Sequence, residues 1–147
     1  MTMAADRFTL RCAVYAILVR GGEVLLLRRA NTGWMDGKYS LPAGHLENGE
    51  SVVAALCRET LEEVGVELDE QTIELVHTMH RYSLYIDLFF TTTWKGELVN
   101  CEPDKHDELR WAPLDALPEN MVPSVRIALD AYRRGERFSE IQHETGI

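Results

Sequence analysis

GHLENGESVVAALCRETLEEVGV, residues Gly44 to Val66, is the stretch whose reading decides the fold. Its second part reads as a helix: Ser51 is a hydroxyl N-cap, a run rich in Ala, Leu, Arg and Glu follows, and Gly65 closes it as a C-cap. At 100° per residue, Arg58, Glu62, Glu59 and Glu63 share an arc of roughly 140°. Val53, Thr60, Val64, Cys57, Leu61 and Ala54 fall on the other side, which is therefore expected to be the buried one, with the carboxylates facing solvent. Glu59 lies one turn from Glu63 and three residues from Glu62, so three carboxylates converge. They repel by a few tenths of a kcal/mol per pair unless a cation sits among them. Oxygen ligation of this kind suits Mg²⁺, with Mn²⁺ as the alternative.

Outward from the helix, the chain reads as strands and turns. Phe8 to Arg20 is rich in β-branched and aromatic residues, Gly21-Gly22 is a turn, and Glu23 to Arg29 is a second strand, together predicting a hairpin. Ala30 to Lys38 is a loop, and Tyr39 to Pro42 a short extended piece. Strands are expected at Thr72 to His80 and at Tyr82 to Trp94, the latter with Leu84, Ile86, Leu88 and Phe90 on one face. A turn at Lys95-Gly96-Glu97, an acidic loop from Asn100 to Asp107, a short strand at Glu108 to Ala112 and an amphipathic helix from Pro123 to Arg134 complete the chain. The order predicts an α/β fold: one domain, residues 1–147, with a mixed sheet covered by helices.

Composition sets limits on function. The chain carries 46% hydrophobic and 27% charged residues in 147, ordinary for a globular domain. A net charge of −9 excludes holding duplex nucleic acid or an anionic membrane through a general basic surface, but allows a phosphorylated small molecule bridged by cations. The longest apolar-rich stretch, Cys12 to Val19, is far short of the roughly 18–20 residues of a membrane span. Cys12, Cys57 and Cys101 have no zinc or redox spacing and read as reduced thiols, so a cytoplasmic address is expected.

The spacing Gly44, five residues, Glu50, seven residues, Arg58-Glu59, two residues, Glu62-Glu63, one residue, Gly65 resembles the Nudix box. Seven fixed positions would coincide by chance with a probability on the order of 10⁻⁶ at ordinary residue usage. Thr60 departs from the pattern, standing where the family has a bulky aliphatic residue; a packing adjustment is expected there. The segments LPAGHLENGES, WKGEL and EPDKHDELRWAPLDALP are similar to the branch that includes MutT-type nucleoside triphosphate hydrolases, and the resemblance spans Cys12 to Leu129. It implies an α/β/α sandwich with a mixed β-sheet between helices, and a metal-dependent pyrophosphohydrolase. Its metal, Mg²⁺ or Mn²⁺, would be held by the Gly44 carbonyl, Glu59 and Glu63, with Glu62 as a direct or water-mediated ligand. Arg58 would hold the glutamates by charge-assisted hydrogen bonds and be anchored by Glu50.

Hydrolysis also needs a base within hydrogen-bond reach of the attacking water. Glu59 and Glu102 are co-candidates, with Glu108, Asp104 and Asp107 as rivals on the same acidic loop. For phosphates beyond the metal, Arg28 is the candidate, since Arg28 and Arg29 point to opposite sides of their strand and at most one faces the substrate. Lys38, Lys105 and His45 are further candidates, while Trp34, Tyr39 and Tyr85 could stack a nucleobase. Trp94 and Trp111 read as packing. The reaction this implies is cleavage of a (d)NTP to (d)NMP and pyrophosphate. The alternatives are a nucleotide sugar, a dinucleotide or another diphosphate as substrate, and a catalytically silent binding protein on the same fold. A homodimer through the MTMAADRF start or the FSEIQHETGI tail is left open.

Overall fold

The computed structural model describes residues 7–142. Its strands and helices run in the order β1 (Arg11–Ile17), β2 (Val19–Arg20), β3 (Glu23–Arg29), β4 (Tyr39–Ser40), β5 (Ala43–His45), α1 (Val52–Val64) and β6 (Glu67–Leu68). Then come β7 (Glu74–Arg81), β8 (Tyr85–Thr91), β9 (Trp94–Lys95), β10 (His106–Pro113), α2 (Pro123–Arg133) and β11 (Phe138–Ile141). A five-stranded mixed sheet has the order β11-β7-β8-β1-β5. Within it β1 runs parallel to β8, and β7 runs antiparallel to β8. A second sheet has the order β10-β3-β2, with β4 paired to β3.

Alternate residues of β1 and β3 enter different cores, which is why both strands read as continuous apolar runs. Ala13, Tyr15, Ile17, Val24 and Leu26 pack with Val125, Ala128 and Leu129 of α2. Val14, Ala16, Leu25 and Leu27 pack with Ala55, Leu56 and Val64 of α1. One helix thus covers each side, in the layered α/β/α arrangement expected from the sequence. No helix among the described residues is long and apolar enough to cross a membrane.

Three expectations are revised. The hairpin shrinks to β2 and the start of β3 around Gly21 and Gly22, whose φ angles are 59° and 79°. β1 goes on into the other sheet, because a strand apolar on both faces is free to take a distant partner, here β8. Along β8 the buried positions include Asp87 and Phe89, on the face opposite Leu84, which is exposed; both sides of this strand are covered.

The side of α1 that is buried also differs from the one expected. Its buried residues are Ala55, Leu56, Thr60, Glu63 and Val64, while Leu61 is 55% exposed. The sheet covers an arc with Glu63 near its centre, so Glu63 faces inward and Leu61 and Ala54 face solvent. Thr60 fits its buried position by donating its hydroxyl proton to the Leu56 carbonyl at 2.7 Å. Ser51 caps the helix by accepting from the Ala54 amide, and Gly65 ends it at φ 73°. Of the tail, Phe138–Ile141 pairs in parallel with β7 of its own sheet. Residues 1–6 and 143–147 of the two segments considered for a dimer lie outside the described residues.

Candidate active site

The C-terminal half of α1 faces β5 across a very short distance. At Gly44 a Cβ would stand 1.9 Å from Cδ of Glu59, so only glycine lets the strand backbone and this carboxylate meet. One residue earlier, the Ala43 amide donates to Oε1 of Glu63 at 2.7 Å, which aims that carboxylate. Arg58 ties the rest together. It donates to Glu50 through Nε at 2.7 Å and a terminal nitrogen at 3.0 Å, and to Glu59 at 2.8 Å. A weaker contact of 3.4 Å reaches Glu62, and one of 3.3 Å reaches the His45 carbonyl. The two-pronged pairing with Glu50 fixes the plane of the guanidinium and so the position of Glu59.

The loop between β9 and β10 closes the other side. Lys105 and His106 amides both donate to the Glu102 carbonyl, at 2.9 and 3.0 Å, a turn that sets Glu102 and His106 side by side. Asn100 holds this turn by donating to the His106 carbonyl at 2.6 Å and accepting from the Glu102 amide at 3.2 Å. One ligand-type atom from each of Glu63, Glu102 and His106 lies within 4.8 Å of the others. His106 is 6% exposed, its Nε2 stands 3.5 Å from Oε2 of Glu63, and its Nδ1 has no hydrogen-bond partner. This histidine lies outside the motif of α1 and was not among the expected site residues. Its position four residues after Glu102 in an acidic loop was the available cue.

Electrostatics single out the inner acid. Burial pushes the Glu63 carboxyl up to about 8; Glu59 and Glu102 add to the rise, and the Ala43 amide and Arg29 oppose it. Burial also raises Glu59, against the pull of Arg58. The Arg58 guanidinium holds Glu50 below the usual carboxylate range. Burial, reinforced by Arg29 and Lys105, lowers His106 to about 4, so its ring is neutral at ordinary pH. Carboxylates crowded against a backbone glycine, one of them deeply buried, suit an oxygen-bound divalent ion.

These groups border a cleft of about 620 Å³. Gly44, His45, Glu59, Glu62, Glu63 and Glu102 line it, as do Trp34, Tyr85 and Lys105. Arg28 does not: it turns away to Asp107 at 2.7 Å and Glu108 at 3.2 Å, and Arg29 is the residue of the pair that faces the cleft. Tyr39 is buried at 3% exposure, donates to Glu108 at 2.8 Å and does not line the cleft. With Asp107 and Glu108 engaged outside, and Asp104 and Lys38 away from the lining, Glu59 and Glu102 are the two base candidates that the fold brings into the cleft. Trp34 stands with the Arg29 guanidinium 4.9 Å from its ring centre. His45 and Tyr85 rings are 5.9 Å apart. Trp94 and Trp111 stack on one another at 6.4 Å, away from the site. A further lining residue absent from the sequence reading is Arg81, paired with Asp87 at 2.5 and 3.1 Å and lying 4.0 Å over the Tyr85 ring.

A family model described as the NUDIX domain matches residues 9–132. The chain is 37% identical over 109 residues to the NAD-capped RNA hydrolase NudC of Pseudomonas aeruginosa, covering 72% of this chain and 37% of that protein. It therefore spans little more than a third of the length of that relative. It is 30% identical over 96 residues to the 8-oxo-dGTP diphosphatase of Proteus vulgaris, covering 64% of this chain and 86% of that one. Among solved structures, a MutT NUDIX hydrolase from Burkholderia pseudomallei superposes with a TM-score of 0.75 at 31% identity, over 84% of this chain and 98% of that chain.

Proposed function

The chain belongs to the NUDIX family, and from that premise we propose that it is a divalent-metal-dependent pyrophosphohydrolase whose substrate is a (d)NTP, cleaved to (d)NMP and pyrophosphate. The observation that carries the reading is the meeting of Gly44, Glu59 and Glu63 at the floor of a cleft, locked by Arg58. In this reading the Gly44 carbonyl, Glu59 and Glu63 hold Mg²⁺ or Mn²⁺, with Glu62 at the more exposed rim. The ion supplies charge neutralisation at the anhydride and orientation of water. Arg58 keeps Glu59 in place while Glu50 keeps Arg58 in place. Glu59 or Glu102 accepts the proton of the attacking water. Arg29 and Lys105 face the phosphates, and Trp34 and Tyr85 offer their rings to the base.

A cleft of about 620 Å³ is of the size that takes a nucleotide. The triphosphate reading is further supported by length: the diphosphatase relative is matched over 86% of itself, and the NudC relative over 37%. A dinucleotide substrate is the second reading, favoured by the higher identity to NudC, 37%. Every charged position of the motif is in place, which favours an enzyme over a silent binding protein. Product release from canonical and oxidised dNTPs, a dinucleotide, ADP-ribose and a nucleotide sugar, with Mg²⁺ and with EDTA, tests the proposal. Metal-dependent pyrophosphate from a triphosphate is the expected result. Turnover of the dinucleotide alone would replace it with the second reading, and no turnover at all would refute both.

A further inference from the structure

His106 and His77 are both buried histidines, 6% and 1% exposed, and they are treated very differently by the fold. His77 has a partner at each nitrogen: the Glu136 carbonyl 2.7 Å from Nδ1 and the Ser139 hydroxyl 2.8 Å from Nε2. That is how a packing histidine meets the cost of burying its polar atoms. His106 has no partner at Nδ1, and its Nε2 faces the Glu63 carboxylate at 3.5 Å. The ring lines the cleft, and the turn through Glu102 leaves it no other task, since that turn is built from backbone and Asn100.

Resting on the metal-dependent reading above, we propose that a ring nitrogen of His106 completes the metal centre beside the carboxylates of Glu63 and Glu102. The centre is then a mixed nitrogen–oxygen site that holds Mn²⁺ or Co²⁺ in preference to Mg²⁺. The candidate ligand atoms lie within 4.8 Å of one another. Ligands on opposite sides of an ion of this size stand about 4.2 Å apart, so small side-chain adjustments bring all three to one ion. Imidazole nitrogen favours the first-row transition ions, whereas Mg²⁺ favours oxygen and keeps its waters. A glutamate-only centre lacks the nitrogen's contribution to that bias.

The test uses Mn²⁺ alone as the probe, with pulsed electron paramagnetic resonance on the whole protein. Expected is a ¹⁴N modulation on bound Mn²⁺ that becomes a ¹⁵N pattern when histidine alone is labelled, which needs no variant. The modulation should vanish in His106→Gln and persist in His45→Gln, the other histidine lining the cleft. Bound Mn²⁺ without nitrogen modulation, or with modulation that survives in His106→Gln, overturns the proposal and leaves the metal-dependent reading standing. Failure of Mn²⁺ to bind at all overturns that reading as well. A direct titration adds a second readout: His106→Gln should weaken Mn²⁺ on the order of tenfold and Mg²⁺ by clearly less. Equal weakening of the two ions would refute the preference.

Discussion

Replacing Glu63 by Gln should stabilise the metal-free protein at neutral pH while destroying the proposed metal site. Burial raises this acid from the ordinary 4.5 to about 8. Between those values the folded state keeps a proton that the unfolded chain has released, so stability falls as pH rises and levels off only above about pH 8. At roughly 1.36 kcal/mol per pH unit, the cost to the metal-free fold at pH 7.4 is about 4 kcal/mol. Gln is nearly isosteric and its amide oxygen keeps the bond from the Ala43 amide, now 2.7 Å long. Its new NH₂ faces His106 and costs about 1–3 kcal/mol as an imperfectly paired buried donor. A net gain of about 2 kcal/mol remains, or a rise in Tm of about 4–8 °C for a domain of this size.

Thermal denaturation of both proteins in EDTA at pH 7.4 and pH 4.5 measures it. The variant should melt higher at pH 7.4 and no higher at pH 4.5, where the acid's cost is gone and the amide's is not. Saturating Mg²⁺ should reverse the order at neutral pH, since ligand at a hundred times its Kd adds about 2.7 kcal/mol to the protein that binds it. A variant less stable than the parent in EDTA at pH 7.4, or a difference independent of pH, would refute the reasoning.

Gly44→Ala should fold, but its Cβ would overlap Glu59 Cδ at 1.9 Å, so the carboxylate must leave; kcat should fall by at least about a hundredfold, and an unchanged kcat would mean Glu59 does not act from its observed position. Arg58→Lys keeps the charge and loses the two-pronged bond to Glu50, so Mn²⁺ affinity measured by titration should drop about 10–100-fold with little change in Tm. Asp87→Ala strands Arg81, 7% exposed, without its counter-ion beneath the cleft, and should cost about 3–5 kcal/mol in chemical denaturation; an unmoved midpoint would show the pair to be dispensable.

The motif on α1 was legible because its residues are close in sequence and a helix brings such residues onto neighbouring turns. Which side of that helix the sheet covers was not legible. Apolar residues occur nearly all round, and only the packing against β5 and β1 decides that Glu63 is inside and Leu61 outside. Contacts across the sheets were hidden for a similar reason. Alternation established that Arg28 and Arg29 diverge, but not that the pairing of β3 with β10 sends Arg28 to Asp107 and Glu108 and so leaves Arg29 to the cleft. Tyr39 was expected in an extended piece and lies in one, β4, but its ring is buried against the core and not turned to the cleft, which only the packing decides. His106 and Arg81 carried no motif; their significance comes from what they face.

The distribution of charge implies an order of events. Glu59, Glu62, Glu63 and Glu102 border one cleft in a chain of net charge −9, so a polyphosphate approaching the metal-free protein meets repulsion at the place where it must react. Arg29 and Lys105 are on its wall, yet Lys105 already stands 3.8 Å from Glu102 and Arg29 is engaged with Thr32 and the Trp34 carbonyl. With Glu63 protonated, neither can offset the carboxylates of Glu59, Glu62 and Glu102. A divalent ion can, and it also relieves the penalty that burial places on Glu63, so the affinity for the ion and the affinity for the substrate must rise together. By linkage each tightens the other by the same factor. Under the proposed function, the arrangement that makes the metal-free fold less stable is therefore the one that makes nucleotide binding conditional on the metal, and nucleotide titrated in EDTA should show no saturable binding in the range where it binds with Mn²⁺ present.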